Sequence, residues 1–239
     1  MKLKLPHFTP FQIAVHVSAW ALVAWLAWDA FSGNLGINPI QAAEQRTGRY
    51  AIYFLVLSLA CTPINTVFGF RQAISARRAL GLYAFMFAAI HLFIFIGIDY
   101  GFQFALLFAD VGTKRYIVVG ALAFSILLPL AITSFTWWQK HLKRNWTRLH
   151  RLVYLAGVVA VLHFAWAKKG DLFALQGDII VPFVLGIIML ILLTLRVPII
   201  RRNAANFRNQ IRLRFRARFP DRISTSIEHR KIEQRQVGD

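Results

Sequence analysis

The sequence predicts an all-α integral membrane bundle of six transmembrane helices, with both termini in the cytoplasm. Three observations carry that expectation. Hydrophobic residues fill 57% of the 239 positions and the mean hydropathy is +0.52, well above an ordinary soluble domain. Six apolar stretches, at 11–31, 48–68, 79–100, 116–136, 149–168 and 179–200, each reach the roughly 20 residues needed to cross a hydrocarbon core of about 30 Å. Lysine and arginine are sorted to one side of those stretches.

Helices follow because lipid offers no partner to a backbone N–H or C=O, so each segment must satisfy its own. The stretches lack the alternating pattern of a membrane barrel. The first follows Met1-Lys2-Leu3-Lys4, as a signal peptide would. It is too long, carries Trp20, Trp25 and Trp28, and lacks a small-x-small cleavage site, so it reads as a retained helix. Pro63 in the second stretch and Pro129 in the fourth each remove a helical hydrogen bond and predict kinks. The connections are short, and no convincing internal repeat is visible.

Orientation comes from the cations. One side collects Lys2, Lys4, Arg71, Arg77, Arg78, Lys140, Lys143, Arg144, Arg148 and the arginine-rich tail. The other carries Arg46, Lys114, Arg115, Lys168 and Lys169, mixed with Glu44, Asp110, Asp171 and Asp178. The first side is therefore cytoplasmic. Trp137, Trp138 and Trp146 would belt that face, with Trp28 and Trp166 near the other. Asp29 and Asp99 fall near the outer surface and call for no special role. The net charge of +18 is mostly this sorting plus the tail, so it is weak evidence for nucleic acid, and no nucleic-acid partner is expected. Cys61 is the single cysteine, so no intrachain disulfide or thiolate cluster can form.

These cues divide the chain into a membrane domain at 10–200 and a basic cytoplasmic tail at 201–239. In the tail, Phe207, Ile211, Phe215 and Phe219 recur every fourth residue between arginines, which suits an interfacial helix on anionic lipid. Ile211, Leu213 and Phe215 also alternate with arginine, which suits a strand, and a disordered anchor is the third reading. The tail holds no glycine-rich nucleotide fingerprint and is too short for a flavin or nicotinamide domain.

Chemistry rests on histidine, because an ionisable side chain inside a span is costly. His16, His91, His150 and His163 lie within spans; His7, His141 and His229 do not. At about 1.5 Å per residue, His91 lies ~20 Å above Arg78, and His163 a similar distance above His150. Two imidazoles at one level on two helices are what axial ligation of a haem iron requires. Ala84 and Ala88 precede His91 at the offsets at which Ala156 and Ala160 precede His163, giving each helix a small-residue track on the histidine's stripe. Close helix packing explains such tracks equally well. His150, a possible ligand of a second haem, is too deep to share the outer iron; His16 is the only intramembrane histidine left to pair with it. Its alternative role is to hold a lipid phosphate, a propionate or a quinone headgroup. Arg77, Arg78, Arg148 and Arg151 line the same rim and could meet propionates or a flavin phosphate, although topology alone accounts for them.

The stretches RRALGLYAFMFAAIHLF (77–93) and NWTRLHRLVYLAGVVAVLHFAW (145–166) resemble the MsrQ (YedZ) family, the haem-binding subunits of the periplasmic methionine sulfoxide reductase system. That family lies within the ferric reductase and NADPH oxidase transmembrane superfamily. The similarity continues through AVHVSAW (14–20), NPIQAAEQRTGRYAIYFLVLSLACTPI (38–64) and RYIVVGALAFSILLPLAITSF (115–135). It implies a multi-pass protein of the bacterial inner membrane that holds haem b, with a second haem or FMN considered for family members. It implies His91, His150 and His163 as the family's histidines, with His16 matching a further one. The implied electron donor is a cytoplasmic flavin reductase or the quinone pool, and the implied acceptor a periplasmic molybdopterin enzyme that reduces oxidised methionine. Substrate catalysis is then expected in the partner, this chain being the electron-transfer subunit. Two alternatives remain: a stand-alone quinol or ferric reductase, and a haem-free transporter or structural membrane protein.

Overall fold

A computed structural model describes residues 8–168 and 180–218. Expectations placed on Lys2, Lys4, His7, Lys169, Asp171, Asp178, Phe219 and His229 lie outside these residues.

The described chain is helical throughout: α1 (Pro10–Phe31), α2 (Pro39–Phe68), α3 (Arg71–Phe93), α4 (Phe104–Val111), α5 (Arg115–Ile132), α6 (Thr136–Leu142), α7 (Arg144–Leu149), α8 (Leu152–Ala167), α9 (Ile180–Thr194) and α10 (Pro198–Arg218). Helix α3 continues into a π-helical turn at Ile94–Asp99. Five units are long and apolar enough to cross a membrane, or six if α9 and α10 are taken as one bent unit. The architecture is thus an all-α, membrane-spanning bundle, as expected.

Local chemistry sets the helix ends. Thr9 caps α1 in a reciprocal capping box with Gln12, and Pro10 fills the first turn, where no N–H is needed. Asn38 caps α2 through the Gln41 amide with Pro39 behind it, and Gly69, at φ 75°, closes its far end in the left-handed region. The fourth expected stretch, 116–136, stops at Ile132, three residues past Pro129. Thr133 there donates its hydroxyl back to the Pro129 carbonyl (2.6 Å).

The bundle is built from two helical hairpins. Helix α2 packs along α3, and α5 along α8; α1 leans on α3 from outside, and α9 on α8. The core between the hairpins holds Phe54, Leu55, Leu80, Ala84, Phe87, Leu127 and Ala156. Trp20, Trp25 and Trp28 on α1 point outward, as suits a helix facing hydrocarbon.

Two expectations change. The sixth stretch, 179–200, is not one straight helix: α9 ends at Thr194, and α10 leaves it at 82°. Arg196, in the break, explains the position of the bend. It donates to the Leu59 carbonyl (2.5 Å) and to the Tyr154 hydroxyl, and its guanidinium lies over the Tyr154 ring. Leu59 is four residues before Pro63, whose missing N–H leaves that carbonyl without a helical partner. Asp29, the second correction, is no bystander. It is buried and forms an ion pair with Arg46, tying α1 to α2. The tail's first half resolves in favour of helix, since α10 runs through the positions where a strand was the rival reading.

Candidate functional site

The His91 ring on α3 and the His163 ring on α8 face each other across the hairpin interface, their centroids 6.1 Å apart and their planes at 73°. Each is positioned in the same way. His91 Nδ1 lies 2.9 Å from the Glu44 carbonyl in the first turns of α2, and His163 Nδ1 lies 2.8 Å from the Tyr116 carbonyl in the first turn of α5. A carbonyl oxygen can only accept, so both Nδ1 atoms carry the proton. Both Nε2 lone pairs are then left over, and neither Nε2 has a hydrogen-bond partner among the described residues.

A glycine lies beside each ring, and at His163 it is needed for room. A Cβ on Gly48 would touch His91 at 3.4 Å, and one on Gly120 would stand 2.7 Å from His163 Cε1. Gly48 and Gly120 each lie one helical turn beyond the carbonyl that holds the ring. Each hydrogen bond spans 47 residues. One constant shift along the chain carries Glu44, Gly48, Ala84, Ala88 and His91 onto Tyr116, Gly120, Ala156, Ala160 and His163. The two hairpins are therefore copies in register, a repeat that sequence inspection did not find. It was hidden because only the small and ring-holding positions match, while the lipid-facing residues between them differ. Under the same shift Arg78 becomes His150, so the other end of the bundle has no matching histidine pair.

The donor set suits a single metal centre between the rings. A metal–imidazole bond of about 2 Å on each side, plus roughly 1.1 Å from nitrogen to ring centre, gives a centroid separation of about 6 Å. An Nδ1–H bound to a backbone carbonyl is the usual means of fixing the tautomer and orientation of a ligating histidine. Ala84 and Ala156 are fully buried on the stripes leading to the two rings. Buried Glu44 Oε1 has no hydrogen-bond partner among the described residues.

His150 is presented differently. Thr133 gives its own proton to Pro129, so its oxygen accepts from His150 Nε2 (3.1 Å). The ring is stacked on Trp146 at 4.1 Å, and Trp146 Nε1 donates to the Thr133 carbonyl (2.8 Å). Trp146 is thus a bracket for His150 as well as an aromatic of that face. His150 lines a cavity of about 420 Å³ with Arg77, Arg78, Arg151, Gln139 and Tyr154 at the basic end of the bundle. His16 is not among the residues lining it. Its Nδ1 is 2.7 Å from the Tyr83 hydroxyl, on the side of α3 that meets α1. The structure therefore brings together His91 and His163, and gives His16 and His150 separate neighbours.

Sequence reasoning missed Glu44, Tyr116, Gly48 and Gly120. The signal that could have found them is the constant shift itself, read from the two histidines backwards.

Comparison with known proteins identifies the family. Residues 47–161 match the family described as ferric reductase like transmembrane component. The protein-methionine-sulfoxide reductase heme-binding subunit MsrQ of Xanthomonas euvesicatoria pv. vesicatoria (strain 85-10) is 42% identical over 164 residues, 66% of this chain and 75% of that protein. The same-named protein of Xanthomonas campestris pv. campestris (strain 8004) is 41% identical over 167 residues, 67% and 77% of the two chains. That of Rhodospirillum rubrum is 36% identical over 192 residues, 80% and 89%. With its long apolar helices and these relatives, the chain belongs to the MsrQ family of the ferric reductase-like transmembrane superfamily and is a multi-pass protein of the bacterial inner membrane.

Proposed function

We propose that the chain is the haem b-containing electron-transfer subunit of a methionine sulfoxide reductase system. It passes electrons from a cytoplasmic flavin reductase or quinol to a periplasmic molybdopterin reductase, where substrate catalysis takes place. The observation that carries this reading is the His91–His163 pair, two imidazoles with centroids 6.1 Å apart and neither Nε2 hydrogen-bonded among the described residues. The name borne by the relatives, heme-binding subunit, points to the same group.

Haem, if held here, would supply one-electron chemistry. His91 and His163 would hold its iron through Nε2. The Glu44 and Tyr116 carbonyls keep each ring in one tautomer and make it a better donor. Gly120 lets α5 approach closely enough to supply the Tyr116 carbonyl, whereas Gly48 lies in ordinary contact with His91. Phe54, Phe87 and Leu127 keep water from the interior, which favours the less charged redox state of a buried centre.

Electrons enter at the basic end. Arg77, Arg78 and Arg151 surround the cavity beside His150 and attract an anionic or polarised donor, a second haem's propionates or a quinol headgroup. The spans number six, with α9 as the last. Both termini are cytoplasmic, because Arg71, Arg77, Arg78, Lys140, Lys143, Arg144 and Arg148 then share the inner face.

The test is haem quantified per chain, with spectra of the purified protein after expression with ample haem. His91→Ala and His163→Ala should each lose the outer haem and its α band. Full haem content in both variants overturns the ligand assignment. A wild-type protein with neither Soret nor α band would leave the transporter or structural reading.

A further inference from the structure

We propose that α10 is an interfacial helix that binds the anionic phospholipid headgroups of the leaflet at the basic end of the bundle. The inference is independent of what the His91–His163 pair holds.

Three observations converge. First, α10 leaves α9 at 82°, so a bilayer crossed by α9 has α10 lying along its surface. Second, Ile200, Ala204, Phe207 and Ile211 fall on one face, at the spacing that stacks residues along a helix. Ile200 and Ala204 are half-buried against the bundle, whereas Phe207 and Ile211 are 66% and 51% exposed, so the apolar face runs on beyond the protein that covers its start. Third, Arg201, Arg202, Arg212 and Arg214 are exposed on the rest of the helix, and Pro198–Arg218 contains no aspartate or glutamate.

Arg208 is the exception that fixes the pose. It turns toward the bundle and donates to the Asn65 and Thr66 carbonyls (2.9 Å each) in the last turn of α2. Among the described residues the Thr66 carbonyl has no backbone donor, while the Asn65 carbonyl also accepts from the Gly69 N–H (2.9 Å), and the cation complements the negative end of the helix. With Arg208 docked, the apolar stripe continues past the bundle's edge at the level where a span ends. An exposed apolar stripe flanked by cations, at the end of a span, has the composition of a surface-seeking helix. Phosphate headgroups meet the arginines while acyl chains meet Phe207 and Ile211. An acidic protein would answer the charge but leave the stripe at the bilayer edge unused.

The experiment is hydrogen exchange on the full chain in nanodiscs of phosphatidylcholine alone or mixed with phosphatidylglycerol. Amides across residues 204–214 should exchange at least about tenfold more slowly in the anionic discs, and high salt should erase the difference. Each neutralised arginine should remove on the order of fivefold of headgroup affinity. The combined variant R201Q/R202Q/R212Q/R214Q should therefore lose the lipid dependence, and the matching lysine variant should keep it. Equal exchange in both lipids, or protection that survives in the glutamine variant, overturns the proposal. Protection in neutral discs that appears only with added cytosolic protein also overturns it and assigns the helix to a protein partner. Should the glutamine variant not assemble, the wild-type salt dependence decides, since salt-insensitive protection excludes headgroup binding.

Discussion

A Cβ placed on Gly120 would stand 2.7 Å from Cε1 of His163, closer than packed carbon atoms come. Relief requires the imidazole to rotate off the Tyr116 carbonyl or α5 to part from α8. Gly120→Ala should therefore weaken haem retention by about 10–100-fold, the usual cost of disturbing what orients a ligating histidine. Gly48→Ala, whose Cβ meets His91 at an ordinary 3.4 Å, should lose little. Haem titration of the two purified variants checks the contrast, and equal behaviour would show that the glycines do not set ring position.

His16 is tied to Tyr83 rather than to the cavity that His150 lines. His16→Phe should leave haem per chain unchanged, whereas a second haem held through His150 should be lost in His150→Ala. A haem deficit in the His16 variant, with the bundle intact by thermal unfolding, would restore it as a ligand.

The Leu59 carbonyl, freed by Pro63, is answered by Arg196. Arg196→Met leaves that carbonyl and the Tyr154 hydroxyl without their donor and should cost about 2–4 kcal/mol. Pro63→Ala returns an N–H to the helix, so in its background the same substitution should cost at least about 1 kcal/mol less. Thermal unfolding in detergent of the four members of the cycle reads the coupling; strict additivity would mean that Arg196 does not serve this carbonyl.

Asp29 and Arg46 join α1 to α2 across a partly buried contact. Asp29→Asn keeps the shape but strands the guanidinium, and should cost about 1–3 kcal/mol. The double change Asp29→Leu with Arg46→Leu should be milder than either leucine change alone, because it removes both charges together. Unfolding midpoints in one detergent provide the comparison.

What could be read from the chain follows the range of the forces involved. Apolar length is a local property, so the spans ending at Phe31, Phe68, Asp99 and Ala167 fall within a few residues of where hydropathy puts them. His91 and His163 were legible because an ionisable residue inside a span stands out, and because helical rise converts residue numbers into depth. The sixth span misled because hydropathy averages over Arg196, whereas the helix breaks where that side chain reaches a carbonyl 137 positions away.

The sequence by itself determined that this is an all-helical membrane protein with two histidines at one depth. Only the tertiary structure decided that their rings meet, which carbonyls fix their protons, and that Asp29 has a partner. Depth along a helix is additive in residue number. Rotation about the helix and the choice of neighbour depend on how α2, α3, α5 and α8 pack, and no single segment holds that information.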